Sequence, residues 1–443
     1  MTADLAGRPP AEWWRAQAVD RPPPGPGPQE ARTPGSAVPF AALMAFTFIF
    51  FIAPQTLFPM LGVLRIALVA ATFAIASFLF DAIAHRRPVP FPPEVRIAVC
   101  LVGWAAVTLP LSYWPGGSLS FLLGTFLKSV TIFWLLGGVV TTLPRLRWLA
   151  WALTLMTIPI AATTLAHFAA GVTMDNRVVG YMAPLTENPN GVALVLSLLL
   201  PLALGLFFIA RSIVARAVLL AVVTLDVSAV VVTFSRAGFL TLATVLAMYV
   251  YRFLRRPERP WAIVICLVLL ACAPLVPPGY WQRVGTITDV ESDPTGSAQE
   301  RRKDTLAAMH LVAEDPVFGA GIGQNILALN EERGKAGRLV HNVYLTYAVD
   351  LGVPGLLLFL LLLGWCVNDT RLVRRRSAAV PPLRDLYYLA EALLTSLVAF
   401  AIGACFHTNA YEFHFYYFGG LAVAARRVYE TETAALLRGG QEG

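Results

Sequence analysis

Three consecutive cations, Arg301, Arg302 and Lys303, stand in the first turn of a predicted helix. Cations are unfavourable there, because the amino-terminal end of the helix dipole is already positive. The same turn attracts anions through its free N–H groups, and arginine binds phosphate through paired donors. The segment therefore predicts binding of an anion, phosphate in particular. The alternative is a solvated basic turn that pairs with carboxylates such as Glu300.

His341 precedes Asn342 and Tyr344 at the start of a long apolar segment. An imidazole titrates near neutral pH, so His341 can act as a general base where burial or neighbouring charges tune it. A histidine at a membrane interface is more often structural, and the residue types alone leave both roles open. We expect no metal and no cofactor, because no acidic cluster with metal-ligand spacing is visible in the polar stretches.

Further polar groups stand at the ends of apolar segments. Arg236 follows Ser235 in a very short turn, and Asn188 and Asn190 open an apolar segment. Asparagine at such a start either caps the helix or binds a ligand.

Four charged residues fall inside apolar segments: Arg65, Lys128, Asp226 and Glu391. A charge within a membrane needs a partner or a cavity, so each either locks helix packing or serves a functional site.

The apolar segments that must position these groups dominate the composition. Of 443 residues, 57% are hydrophobic and only 14% are charged, with a mean hydropathy of +0.65. A soluble chain carries roughly 25% charged residues. The composition therefore excludes soluble, disordered and fibrous proteins and predicts an all-α polytopic membrane protein.

Runs of about 17 to 25 apolar residues predict membrane-spanning helices. We expect twelve, at roughly 37–53, 60–80, 95–113, 119–141, 147–170, 190–210, 213–233, 237–253, 260–276, 342–366, 386–407 and 411–425.

The net charge of +7 follows the predicted topology. Arginines gather in alternate loops, for example at 86–87, 252–259 and 371–384, and this bias places both termini in the cytoplasm. The chain then divides into a disordered cytoplasmic tail (1–36), nine helices (37–276), a periplasmic loop with catalytic elements (277–341), three helices (342–425) and a second tail (426–443). The basic charge is thus a topology signal, and no nucleic-acid partner is expected.

The long loop has internal structure of its own. Ser297 and Glu300 have the spacing of a capping box, which predicts a helix over 298–314 that begins at Ser297 as its cap. Leu306, Met309 and Ala313 share an apolar stripe that should face either the membrane domain or the loop itself. Gly319, Gly321 and Gly323 follow. A glycine-rich segment is only weak evidence for a binding loop when it stands alone.

Four elements in order resemble one known family: Asn188-Pro-Asn190, Ser235-Arg236, Arg301 ahead of Pro316-Val-Phe-Gly-Ala-Gly-Ile-Gly323, and His341-Asn342-Val-Tyr344 followed by Gly352-Val-Pro-Gly355. This set is similar to the O-antigen ligase and polymerase superfamily of bacterial inner-membrane glycosyltransferases. One departure is Thr305, where many relatives carry Trp, and it leaves Arg302 as the alternative to Arg301.

The resemblance implies a GT-C-like fold and a donor glycan on undecaprenyl pyrophosphate. In the ligase branch the acceptor is a sugar hydroxyl of lipid A–core at the periplasmic face. It implies that Arg236 and Arg301 clamp the pyrophosphate and that His341 is the general base of an inverting, metal-independent transfer. The expected substrate-binding residues are Arg302, Asn188, Asn190, Asn342 and Tyr344.

Alternatives from the same superfamily are an O-antigen polymerase and a protein O-oligosaccharyltransferase. A transporter of lipid-linked sugars is a different class that twelve helices also fit. The aromatic residues between Tyr411 and Phe418 indicate either a groove for lipid or sugar or an interfacial belt.

Overall fold

The computed structural model describes residues 36–255, 278–285 and 296–439, except 175, 176, 179, 182, 184 and 187, together with residues 260, 263, 267 and 291. Most of the predicted ninth span (260–276) and both predicted tails up to residue 35 and from residue 440 lie outside the described residues.

The first half of the described chain is helical except for one small hairpin. Its elements are α1 (Ala37–Ile52), α2 (Pro54–Leu57), α3 (Pro59–Val63), α4 (Ile66–Ala84), α5 (Pro93–Thr108), α6 (Pro115–Phe121), α7 (Leu127–Val139), α8 (Leu143–Ala169), β1 (Thr173–Met174), β2 (Arg177–Val178), α9 (Pro189–Ile209), α10 (Ile213–Val232) and α11 (Arg236–Leu254). A π-helical turn over Leu122–Phe126 joins α6 to α7, so that the two run as one interrupted helix.

The second half contains three helices of the predicted loop and three long helices. They are α12 (Pro278–Gly285), α13 (Ser297–Glu314), α14 (Asn325–Arg333), α15 (Val343–Ser377), α16 (Arg384–Gly403) and α17 (Phe413–Gly439). Within the described residues the two strands pair antiparallel, with Thr173 opposite Val178, and form a two-stranded sheet.

Among the described residues, nine helices are long and apolar enough to cross a membrane. The chain is therefore an all-α polytopic membrane protein apart from its short hairpin. The predicted first span is a helix of 16 residues, shorter than these nine. The predicted last span extends as α17 to Gly439, well beyond residue 425.

Helices α9, α15, α16 and α17 form the centre of the bundle, with α9 packed on α16 and α17 on α7. The aromatic rings of α17 lie inside this core. Tyr416 bonds Tyr347 through their hydroxyls at 2.9 Å, and Tyr417 bonds Thr47 at 2.8 Å. Both predicted roles for Phe415–Phe418 were wrong, because these side chains are buried between helices rather than in a groove or at an interface.

The glycine segment of the loop docks onto a break in α15. Gly352 interrupts α15 with φ 66° and ψ −175°. The N–H groups of Ala320 and Gly321 donate to backbone oxygens of this break, and Gly323 N donates to the Asp350 carboxylate at 3.0 Å. These bonds fix the end of the loop to the membrane domain.

The predicted start of α13 was wrong by one residue. Gly296 is the cap, with φ 66°, and the Ser297 hydroxyl does not cap the helix. The predicted apolar stripe was also wrong, since Leu306 and Met309 are more than half exposed. The face that packs inward carries Asp304 and Ala308, because arginines of the loop neutralise that acid.

Candidate active site

Two helix starts meet through their capping residues. Asn188 Oδ1 accepts from the N–H of Gly191 and caps α9, which is one of the two roles that the sequence left open for it. The Ser235 hydroxyl caps α11 by accepting from Gly238 N at 3.0 Å, and it donates to Asn190 Oδ1 at 2.7 Å. The amino-terminal ends of α9 and α11, both positive by their dipoles, are thereby held together.

Arg236 joins this pair of helices to the loop. Its guanidinium donates to the Ser297 hydroxyl at 3.2 Å, in the first turn of α13. Arg301 lies four residues after Ser297, so the two side chains share one face of α13. The predicted pair of arginines, Arg236 and Arg301, is thus carried by elements in direct contact.

His341 stands just before α15, next to these cations. Burial is the main cause that lowers the pKa of His341 to about 3, and the positive charges of Arg301 and Arg177 lower it further. The imidazole is therefore neutral at pH 7 and able to accept a proton. Its neighbour Asn342 caps α15 by accepting from Leu345 N at 3.1 Å, which fixes the backbone next to the imidazole.

A second group of histidines lies behind His341. His407 and His414 are 3% and 4% exposed, and His407 Nε2 has no hydrogen-bond partner among the described residues. Burial, followed by His414, Arg301 and His341, lowers the pKa of His407 to about 3. Glu412 lies 3.4 Å from His414 Nδ1.

An ion network holds α13 and α14 together beneath Arg301. Arg333 bonds Glu300 and Asp304 at 3.0 Å each, and Arg338 bonds Glu300 at 3.0 Å. Asp304 and Arg333 are mostly buried, with side chains 6% and 17% exposed. The network places Glu300 and Asp304 inside the loop, on the same helix that carries Arg301.

Other predicted residues lie differently. Arg302 is exposed and pairs with Glu291 at 3.9 Å, so the geometry favours Arg301 over Arg302 as the cation beside His341. The Tyr344 hydroxyl donates to the carbonyl of Ala401 at 2.6 Å and joins α15 to α16. The side-chain oxygen of Asn188 likewise accepts a hydrogen bond as a helix cap.

One group in the described loop has the arrangement of a metal site. His310, Glu314 and Glu332 offer ligand atoms within 4.8 Å of one another, and all three residues are exposed. His310 Nδ1 lies 3.2 Å from Glu332 and 3.7 Å from Glu314. The sequence search missed this group because Glu332 comes from α14, and only the His310–Glu314 spacing is visible along one helix.

Sequence reasoning also missed Arg177 as a member of the site. The β1–β2 hairpin carries Arg177, and its charge acts on His341. Two signals were present: Arg177 is one of few cations on the side opposite the arginine-rich loops, and it precedes the Asn188 segment.

These groups form a cationic site beside a neutral imidazole. Three helices begin there with asparagine or serine caps, and Arg236, Arg301 and Arg177 add full charges. Helix starts and guanidinium groups bind phosphates, while a neutral imidazole accepts a proton. The arrangement suits transfer of a group away from a phosphate-containing leaving group.

Comparison with known proteins gives one similarity, over part of the chain. No curated protein matches the chain significantly. Residues 217–360 match a family model described as O-antigen ligase. The matched segment holds Arg236, Arg301 and His341, whereas Arg177 and His407 lie outside it. The match covers about a third of the chain and supports its membership of the O-antigen ligase/polymerase family.

Proposed function

We propose that the chain transfers an O-antigen glycan from undecaprenyl pyrophosphate to a sugar hydroxyl of lipid A–core. The observation that carries the proposal is the neutral imidazole of His341 among Arg301 and Arg177. The family match supports ligase or polymerase chemistry in general terms. The positive-inside bias supports a location in the bacterial inner membrane with both termini cytoplasmic and the site at the periplasmic face.

The leaving group is the pyrophosphate of the donor. As the bond between the anomeric carbon and the pyrophosphate oxygen breaks, negative charge grows on that oxygen. Arg236 and Arg301 stabilise this charge through paired N–H donors, which a divalent metal does in other glycosyltransferases. In this proposal the reaction proceeds without a metal.

The acceptor hydroxyl loses its proton to His341 as its oxygen attacks the anomeric carbon. One displacement forms the new glycosidic bond on the face opposite the leaving group, so the configuration inverts. Burial and two cations lower the pKa of His341 to about 3 in the free protein. A bound pyrophosphate would offset those cations and raise this pKa, which makes the imidazole a stronger base once the donor is in place.

A three-acceptor assay tests the proposal. The purified full chain receives a lipid-pyrophosphate glycan together with lipid A–core, a second lipid-linked repeat unit or a pilin-like protein. We expect product on lipid A–core, also in the presence of EDTA. Product only on the second repeat unit would identify a polymerase, and product only on protein an oligosaccharyltransferase. Movement of the donor across a vesicle membrane without product would contradict all three enzyme functions.

A further inference from the structure

A cavity of about 590 Å³ opens between α1, the α2–α4 segment, α7 and the start of α17. Aromatic and aliphatic side chains line most of it, among them Phe46, Phe50 and Phe413. Arg65 and Lys128 also line it, and no carboxylate does. It is therefore an apolar cavity with two cations in its wall.

Lys128 lies deep in the membrane-spanning part of the protein. The α6–α7 helix has 25 residues from Pro115 to Val139. At 1.5 Å per residue, Lys128 is roughly 20 Å from its first residue and roughly 17 Å from its last. Both distances exceed the reach of a lysine side chain that extends to an interface. The ammonium group therefore needs a partner, such as an anion, or a cavity at its own depth.

The protein does not supply that anion within the described residues. No described carboxylate forms an ion pair with Lys128 or Arg65. Gln55 lines the same cavity, and its Oε1 is buried without a partner in the described part of the chain. A second cavity in the described part of the chain, about 640 Å³ and lined by Arg147 and Arg211, differs in this respect, because Asp385 lies 3.3 Å from Arg147.

The backbone is irregular at both cations. Arg65 has the left-handed conformation with φ 47° and ψ 44°, a costly one for a residue with a side chain. A π-helical turn over Leu122–Phe126 precedes Lys128, and such turns often accompany functional sites. The backbone is thus strained at Arg65, and the helix is irregular just before Lys128.

The cavity also borders the candidate active site. Phe413 lines its wall and stacks on Phe50, with ring centroids 3.8 Å apart. The next residue, His414, is buried and lies beside Glu412. A lipid held in the cavity would therefore keep its headgroup near the histidines of the site.

We propose that this cavity binds a phosphate group of the glycolipid acceptor, with its acyl chains against the apolar wall. Arg236 and Arg301 already serve the donor pyrophosphate, so a second cation pair in an apolar wall suits a second phosphorylated lipid. The assignment of the acceptor rests on the proposed function, whereas the binding itself requires no turnover.

Native mass spectrometry of the purified full chain tests this binding. The probes are lipid A–core, undecaprenyl phosphate and phosphatidylglycerol, each against phosphatidylcholine. We expect lipid A–core to bind best, and we expect Arg65→Met with Lys128→Met to weaken it at least tenfold. Lys128→Arg should retain binding because it keeps the charge. Arg211→Met is the matched control, because it removes a cation from the other large cavity.

The outcomes separate this inference from the proposed function. Equal binding by the wild type and the double variant would overturn the inference, and so would an equal loss in Arg211→Met. Tighter binding of undecaprenyl phosphate or phosphatidylglycerol than of lipid A–core would refute the proposal that the acceptor occupies the cavity. An unchanged melting temperature of the double variant and retention by Lys128→Arg would show that a loss is not misfolding. Binding of lipid A–core without any glycan transfer would support this lipid site and would contradict the proposed ligase function.

Discussion

His341 has the protonation state that a general base needs. Loss of a general base costs roughly 10²–10⁴ in rate. We expect His341→Gln to lower kcat for glycan transfer at least a hundredfold with little change in KM for the donor, because the arginines remain. Initial rates on lipid A–core measure both constants. His310→Gln, an exposed histidine of the same loop, is the control. A wild-type rate for His341→Gln would refute the assignment of His341 as the general base.

The charge state of His341 can be read directly by ¹⁵N NMR of labelled histidines. With a pKa of about 3 in the free protein, the imidazole should stay neutral at pH 5, where an ordinary histidine is mostly protonated. Undecaprenyl pyrophosphate should raise this pKa, because the anion offsets Arg301 and Arg177. The spectrum of His341→Gln assigns the signal. A signal that titrates near 6.5 without ligand would contradict the burial and the cationic surroundings described here.

The ordered motifs that resemble the O-antigen ligase and polymerase superfamily selected Arg236, Arg301 and His341, whereas residue types alone left the role of His341 open. They were not enough to separate Arg301 from Arg302. That choice depends on helix phase, and Ser297 fixes the phase through its bond to Arg236. Tyr344 was selected by its position in a motif, but its hydroxyl bonds the backbone of Ala401.

At the scale of elements, α13 shows why the loop was harder to predict than the spans. Hydrophobic periodicity placed Leu306 and Met309 inward, yet the inward face carries Asp304. Its burial depends on Arg333 and Arg338, which are about thirty residues away, and pattern analysis of one helix cannot include them. The sequence pattern of this one helix also predicted that Ser297 is its cap. In the structure the Ser297 hydroxyl instead accepts a hydrogen bond from Arg236, which belongs to another helix.

The ion network under α13 should position Arg301 without contact to the substrate. Arg333→Met removes two bonds of 3.0 Å and leaves Asp304 buried with Arg338 at 3.9 Å. Loss of a hydrogen bond to a charged group costs about 1.5–3 kcal/mol. We therefore expect a raised KM for the donor and faster hydrogen exchange in α13, measured by mass spectrometry. Lys335→Met, at an exposed position, should change neither. Unchanged exchange in Arg333→Met would refute the positioning role.

The glycine segment anchors the other end of the loop by close contact. A Cβ at Gly321, where φ is 95°, would lie 2.3 Å from the Ser112 side chain. We expect Gly321→Ala to detach the loop from the membrane domain and to speed its cleavage by trypsin severalfold. Gly334→Ala is the matched control, because Gly334 also has a positive φ (60°) but nothing within 4 Å. Equal cleavage of both variants would assign the effect to backbone strain alone.

For the whole molecule, hydropathy predicted that the chain is a membrane protein but not which faces of its helices meet lipid. The apolar window of α9 is 78% buried, whereas that of α4 is 22% buried, although both read as strongly apolar. The α17 aromatics from Phe415 to Phe418 were misassigned for the same reason, because a ring that packs between helices and a ring at an interface have the same hydropathy. Long-range packing, which local patterns do not contain, makes the difference.

The orientation of the whole molecule follows from charge placement and can be tested with cysteines. In a variant lacking the five native cysteines, Lys335→Cys should react with a membrane-impermeant maleimide added to intact cells with a permeabilised outer membrane. Arg438→Cys, exposed near the end of α17, should react only after the inner membrane is opened. The reason is the arginine excess in the loops on the side of Arg438. Labelling of Arg438→Cys in intact cells would place the carboxyl-terminal end outside and would contradict the predicted orientation.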